Sequence, residues 1–76
     1  IGLPLDVLSG GFRLINLNNH DIYVEGNIKI ISLSQEEIKL KLKKSILHIG
    51  GQDLKIKNMQ DNTLMVVGDI TELNMS

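Results

Sequence analysis

The chain of 76 residues has no cysteine and no tryptophan, a single proline, and only Phe12 and Tyr23 as aromatic residues. Without cysteine, neither a disulfide framework nor a thiolate metal site can be built, and the usual staples of a small secreted domain are missing. A reducing, intracellular setting is the expectation that follows. With so few aromatics, the 42% of hydrophobic residues are almost wholly Ile, Leu and Val. Such a core suits thin sheet packing better than a deep ligand pocket. Neither sign of charge dominates: the net charge of -1 offers the whole chain no electrostatic attraction for nucleic acid or an anionic membrane. No apolar run approaches the roughly 18 residues that a membrane-crossing helix needs. The chain begins at Ile1 rather than methionine, which is read as a processed product or part of something longer. With no linker and no low-complexity stretch, residues 1–76 are read as one small domain. A chain this short buries only about 60% of its unfolded surface, so its own core leaves it marginal.

What is present is one repeated phrase of alternating polar and apolar residues. It reads Asn27-Ile28-Lys29-Ile30, Glu37-Ile38-Lys39-Leu40 and Asp53-Leu54-Lys55-Ile56, with Asp21-Ile22-Tyr23-Val24 and Thr63-Leu64-Met65-Val66 as looser copies. A period of two sends apolar side chains to one face and lysines to the other, the signature of half-buried strands. Turn signals recur about every 8 to 10 residues at Ser9-Gly10-Gly11, Asn18-Asn19-His20-Asp21, Glu25-Gly26-Asn27, Lys43-Lys44-Ser45, Gly50-Gly51 and Gln60-Asp61-Asn62. Ser34 followed by Glu37 has the form of a helix-capping box. The six alternating positions from Ile38 to Lys43 would smear around a helix, however, and are read as strand. The expected fold is therefore all-β, a single domain of about seven to eight short strands, as a rolled sheet, a β-solenoid-like stack or a thin sandwich. Gly26, Gly51 and Gly68 are read as its turn glycines.

No constellation of residues carries catalytic chemistry. His20 and His48 are far apart in sequence with no further ligand at metal spacing. The serines lie in unrelated contexts, Glu36 and Glu37 are adjacent on an extended segment and point apart, and the glycine pairs introduce no helix that could cradle a phosphate. The expectation is a protein that is not an enzyme, with no cofactor and no metal. One feature invites a binding reading: Lys29, Lys39, Lys41, Lys43, Lys55 and Lys57 on one sheet face could track a phosphate backbone. Single-strand binders interleave such lysines with aromatic platforms, and here those are nearly absent. A solvated face that discourages edge-to-edge aggregation is the preferred reading, with no nucleic acid expected and an anionic-surface module as the alternative.

Over nearly its whole length, from Leu3 to Leu73, the chain resembles the YabP/YqfC family of sporulation proteins from endospore-forming Firmicutes. The resemblance is carried by Leu47-His48-Ile49-Gly50-Gly51-Gln52-Asp53-Leu54-Lys55-Ile56-Lys57-Asn58-Met59, followed by Leu64-Met65-Val66-Val67-Gly68-Asp69-Ile70. Upstream, Leu3-Pro4-Leu5-Asp6-Val7 and Ile22-Tyr23-Val24-Glu25 look like the opening and an early strand of the YqfC type. Two positions depart from the pattern: Ser45 stands where the family tends to have a turn glycine, and Val67 where a charged residue is common. The resemblance implies a non-enzymatic protein of the mother cell during sporulation, an adaptor or scaffold in spore coat or cortex assembly at the forespore surface. No catalytic residue or cofactor comes with it. A marginal sheet with open edges gains by adding strands from a neighbour, so a homo-oligomer or filament is expected, with other envelope proteins, one of them membrane-linked, as further partners. Leu5, Val67 and Leu73 are the expected contact surface.

Overall fold

The computed structural model describes residues 6–9 and 12–76. Seven strands, β1 (Asp6–Ser9), β2 (Phe12–Leu17), β3 (Asp21–Gly26), β4 (Lys29–Leu33), β5 (Glu37–Lys41), β6 (Ile46–Lys57) and β7 (Thr63–Met75), form one sheet in the order β1-β2-β3-β7-β6-β5-β4. Every pairing is antiparallel. This is the all-β domain expected, at the lower end of the strand count. A solenoid stacks parallel coils, so the register realises the rolled sheet instead.

The roll follows from burial. Ile22 and Val24 of β3, Ile38 and Leu40 of β5, and Leu47 and Ile49 of β6 are all 0% exposed, and they belong to one core cluster with Leu14, Leu64, Val66, Ile70 and Leu73. A flat single sheet cannot remove one face from water without a second layer. Here the two wings of the sheet cover each other, with the β6–β7 pair as the spine between them. No two strands that are not neighbours come within 8 Å between Cα atoms among the described residues, as expected for facing sheet layers about 10 Å apart. The whole measures 28 × 23 × 20 Å. Burial on the order of 25 cal/mol per Å² of apolar surface is its main source of stability.

The spine differs from the sequence expectation. Gly50-Gly51 and Gly68, read as turns between short strands, lie inside β6 and β7, which run for 12 and 13 residues. The misreading has a physical cause. The pairing passes from Gly50↔Glu72 to Gly51↔Ile70, leaving Thr71 extra on β7; it then passes from Gln52↔Asp69 to Lys55↔Val67, leaving an extra residue on β6. Each bulge shifts the alternation of its strand by one position. In β6 the buried residues change from Leu47 and Ile49 to Leu54, and in β7 from Leu64, Val66 and Ile70 to Leu73. The slip keeps apolar side chains on the inner face through the bend, and in the sequence it looks like a strand break.

Gly51 and Gly68 make the bend possible by close approach. A Cβ on Gly51 would collide with the carbonyl oxygen of Asp69, and one on Gly68 would lie 2.7 Å from the carbonyl oxygen of Asp53. Gly68 also has a φ of 139°, and Asp53, beside the second bulge, has 55°. The two adjacent hairpin turns close onto this bend. Gly68 N–H donates to the His20 carbonyl at 3.0 Å and Ile70 N–H to that of Asn19 at 2.9 Å. On the other side, Gly51 N–H donates to the Glu36 carbonyl at 3.0 Å and Leu54 N–H to that of Gln35 at 2.9 Å.

The turns themselves follow local chemistry. Asn18 and Asn19 both have left-handed φ, at 56° and 57°, at the centre of a turn closed by His20 N–H to Leu17 O at 3.1 Å, within the three-residue connection of β2 and β3. Buried Asn16 clamps it: its side-chain amide donates to Asn19 Oδ1 at 2.9 Å and its Oδ1 accepts from Asn19 N–H at 3.1 Å. Between β4 and β5, Ser34 Oγ accepts the amide N–H of Glu36 at 3.3 Å and of Glu37 at 2.9 Å. The hydroxyl does the work of a cap, but in a strand-to-strand turn rather than a helix. Lys43 and Lys44 connect β5 to β6, closed by Leu42 N–H to Ser45 O at 2.8 Å and Ser45 N–H to Leu42 O at 3.3 Å. Neither lysine nor Ser45 has a positive φ, so the turn needs no glycine where Ser45 stands.

Candidate functional site

The core leaves two outer surfaces and the two end strands of the sheet, β1 and β4, as places where the domain can act. On the wing that ends in β4, Lys29 stands directly opposite Lys41, and Lys39 lies between Ser32 and His48 across the sheet. These side chains share the outer face, because directly opposed residues of an antiparallel pair point the same way. Asn27, Lys29, Lys41, Leu42 and Lys43 line an open depression at the end of this row. The other two lysines of the expected face lie on the opposite half of the spine. Lys55 pairs with Val67 and Lys57 with Met65, so both belong to the outer face of the wing formed with β3 and β2. The six lysines therefore form a cluster of four and a separate pair, not one continuous track. Glu37 and Glu72, which face Gly50 from the two flanking strands, border the cluster.

Among the described residues, no three His, Cys, Asp or Glu side chains converge as metal ligands. His20 is exposed on the β2–β3 turn, while His48 is half-buried on β6. Tyr23 donates its hydroxyl to Glu25 Oε2 at 3.3 Å. Desolvation, with the charge and hydrogen bond of Glu25 adding to it and Arg13 opposing, holds this phenol above its usual pKa of 10.0. It stays protonated at neutral pH and is neither a base nor a nucleophile there. No helix among the described residues is long and apolar enough to cross a membrane.

The expected contact residues separate on inspection. Leu5 lies outside the described residues. Leu73 is corrected from surface to core: it is 1% exposed, because β7 is a central strand between β3 and β6 rather than an edge. Val67 is half-buried, with Asp21 and Lys55 as its cross-strand neighbours, and does not stand out as a patch. Of the expected turn glycines, Gly26 does end a strand, with φ 142° and its N–H donating to the Asn62 carbonyl at 2.7 Å. Gly51 and Gly68 belong to the bend.

The sequence reading missed the surface where exposed apolar residues are concentrated. β4 carries Ile30 at 37%, Ile31 at 49% and Leu33 at 57% exposure. Ile30 and Leu33 sit opposite Leu40 and Ile38, on the core-facing side, while Ile31 is the extra residue of a bulge between Ile30 and Ser32. The signal was available, since the doublet Ile30-Ile31 breaks the alternation and demands apolar groups on both faces of a strand.

Searches of curated proteins and of solved structures each returned no significant match. The family model described as the YabP family matches residues 12–76. That span takes in β2 to β7, with the bend glycines, the spine and the exposed β4 edge, and it agrees with the resemblance seen in the sequence and with a sporulation-related role. The chain belongs to the YabP family.

Proposed function

We propose that this domain acts without catalysis, as a self-associating adaptor or scaffold in assembly of the spore's coat or cortex, in the mother cell at the forespore surface. The observation that carries the reading is where the apolar surface lies: not in a cavity, but on the terminal strand of an open sheet, through Ile30, Ile31 and Leu33. Small molecules select concave pockets with convergent polar groups. Exposed apolar edges select other strands. Family membership supplies the sporulation setting, and other envelope proteins, including a membrane-linked one, are its further partners. A fluorescent fusion imaged in sporulating cells of the source organism tests this. A cap or shell around the forespore is the expected result; a uniform signal, or expression confined to vegetative growth, would count against it.

A second reading rests on the outer row Lys29, Lys41 and Lys39, with Lys43 beside it. In that reading the wing docks on an anionic surface or nucleic acid. Phosphate contacts weaken steeply with salt, so binding measured at two salt concentrations separates the readings, and absence of binding at low salt eliminates the second.

A further inference from the structure

We infer that β4 is the seat of a two-fold contact in which the β4 strands of two copies pair antiparallel, Ile30 of each lying opposite Leu33 of the other. The inference rests on the self-association reading and gives it a strand, a register and a symmetry. β4 is bonded to β5 on one side, and no described strand pairs with its other side. The backbone groups there call for an extended partner, and the strand is not blunted by the proline or the run of charges that usually guard an edge. Between Ile28 and Leu33 the only charged residue is Lys29.

The two faces of the strand select the register. Residues that oppose each other across an antiparallel pair must share a face. Ile30 and Leu33 share the inner face through their partners Leu40 and Ile38; Lys29 and Ser32 share the outer face with Lys41 and Lys39, and the bulged Ile31 lies beside Ser32. A register that sets Ile30 against Leu33 of the second copy also sets Ile31 against its Ser32 and Lys29 against its Ser34. Inner residues meet inner ones throughout, and each apolar pair occurs twice by symmetry. The core would then continue from one molecule into the next without a step.

The match of the inner residues with themselves favours a second copy as occupant, and charge selects the direction. A parallel, in-register pairing would place Lys29 on Lys29. The antiparallel one separates the two lysines to opposite ends of the pair. Pairing of β4 with β1 of a neighbour is a different geometry, since it joins unlike edges and propagates into an open filament rather than closing.

Because the chain has no cysteine, cross-linking reads the register without background. An equimolar mixture of the Ile30→Cys and Leu33→Cys variants should oxidise to a mixed disulfide dimer at least tenfold more than either variant alone. Opposed Cα atoms in an antiparallel pair lie within the span a disulfide can bridge. Both side chains are exposed, so neither change opens the core. Light scattering should show a dimer for the natural chain and a monomer for Ile31→Lys with unchanged circular dichroism. A monomeric natural chain would overturn both the contact and the self-association reading. Association that persists in Ile31→Lys, without the mixed disulfide, would overturn the β4 contact alone and leave self-association through another edge standing.

Discussion

The two wings of the sheet are built to one plan, and they differ in how they end. β3 lies against the first half of β7 as β5 lies against the first half of β6, and β2 and β4 flank them. Each wing's hairpin turn accepts two N–H groups of the bend, on the carbonyls of Asn19 and His20 on one side and of Gln35 and Glu36 on the other. Gly68 backs onto Asp53 as Gly51 backs onto Asp69. The pairing diagram is thus nearly two-fold about the β6–β7 spine. Beyond β2, however, comes β1, and β2 buries Phe12, Leu14 and Asn16. Nothing comparable follows β4 among the described residues, and its apolar residues stay in solvent. A symmetric plan completed on one side only marks where a further strand belongs.

The largest effect is expected where the wings meet. Gly51→Val should abolish cooperative unfolding in urea as followed by circular dichroism, because the new side chain has no room beside the Asp69 carbonyl and the backbone there cannot give without opening the bend. Gly68→Val should cost nearly as much, on the order of 4 kcal/mol or more, from strain at φ 139° added to the contact with Asp53. If either variant folded with ordinary stability, the description of the bend would be wrong.

Equivalent core positions sharpen the comparison next. Ile22→Ala in β3 and Ile38→Ala in β5 remove side chains of the same size from sites both 0% exposed. Each should lose about 2 to 5 kcal/mol in chemical denaturation, and by similar amounts. A large inequality would mean that one wing carries most of the cooperativity.

The turns should show the asymmetry instead. Asn16→Ala removes both hydrogen bonds that hold the Asn18-Asn19 turn and empties a buried polar site, so a loss of about 1 to 3 kcal/mol is expected. Ser34→Ala on the other wing removes acceptors of exposed N–H groups that water can replace, and should cost about 0.5 to 1 kcal/mol. Equal losses would contradict the burial difference.

The smallest effect is electrostatic. Tyr23 is the only tyrosine, so its ultraviolet titration is unambiguous, and its midpoint should lie above the usual 10.0 and fall toward it in Glu25→Gln. A raised phenol pKa in the folded state supports stability below the ordinary value. That contribution is lost as pH rises through the raised one, so the alkaline unfolding limb, not the acid one, should respond to Glu25→Gln. A midpoint unaffected by this substitution would sink the assigned role of Glu25.

How much of this was legible in the sequence depended on whether local rules held. Alternation in Ile22-Tyr23-Val24 and Ile38-Lys39-Leu40 identified strands and their inner faces, because a half-buried strand enforces a period of two. The asparagine turn was legible for the same local reason. The spine was not, since its two bulges reset the period at Asp53-Leu54 on β6 and at Thr71 on β7, and glycine at a close approach looks the same as glycine in a turn. Leu73 looks like an edge residue because it stands in the final apolar segment of the sequence, whereas strand order depends on long-range pairing. The lysines were correctly placed on outer faces, but their division between two wings follows from the bend. β4 was recognised as a strand; that it ends the sheet is a matter of topology.

The position of β7 sets the order in which the molecule can be assembled. β4, β5 and the first half of β6 pair through short connections and can form as soon as they are made. β3 must wait for β7, since Val24 meets Leu64 and Ile22 meets Val66. Closing so long a loop before any contact rewards it is slow. During synthesis, then, the wing with β1 has no neighbour until β7 arrives, and β7 is the keystone without which the two wings share no sheet. Loss of residues from Thr63 onward would leave two wings of one chain that share no sheet, each with apolar faces in water and a strong tendency to aggregate.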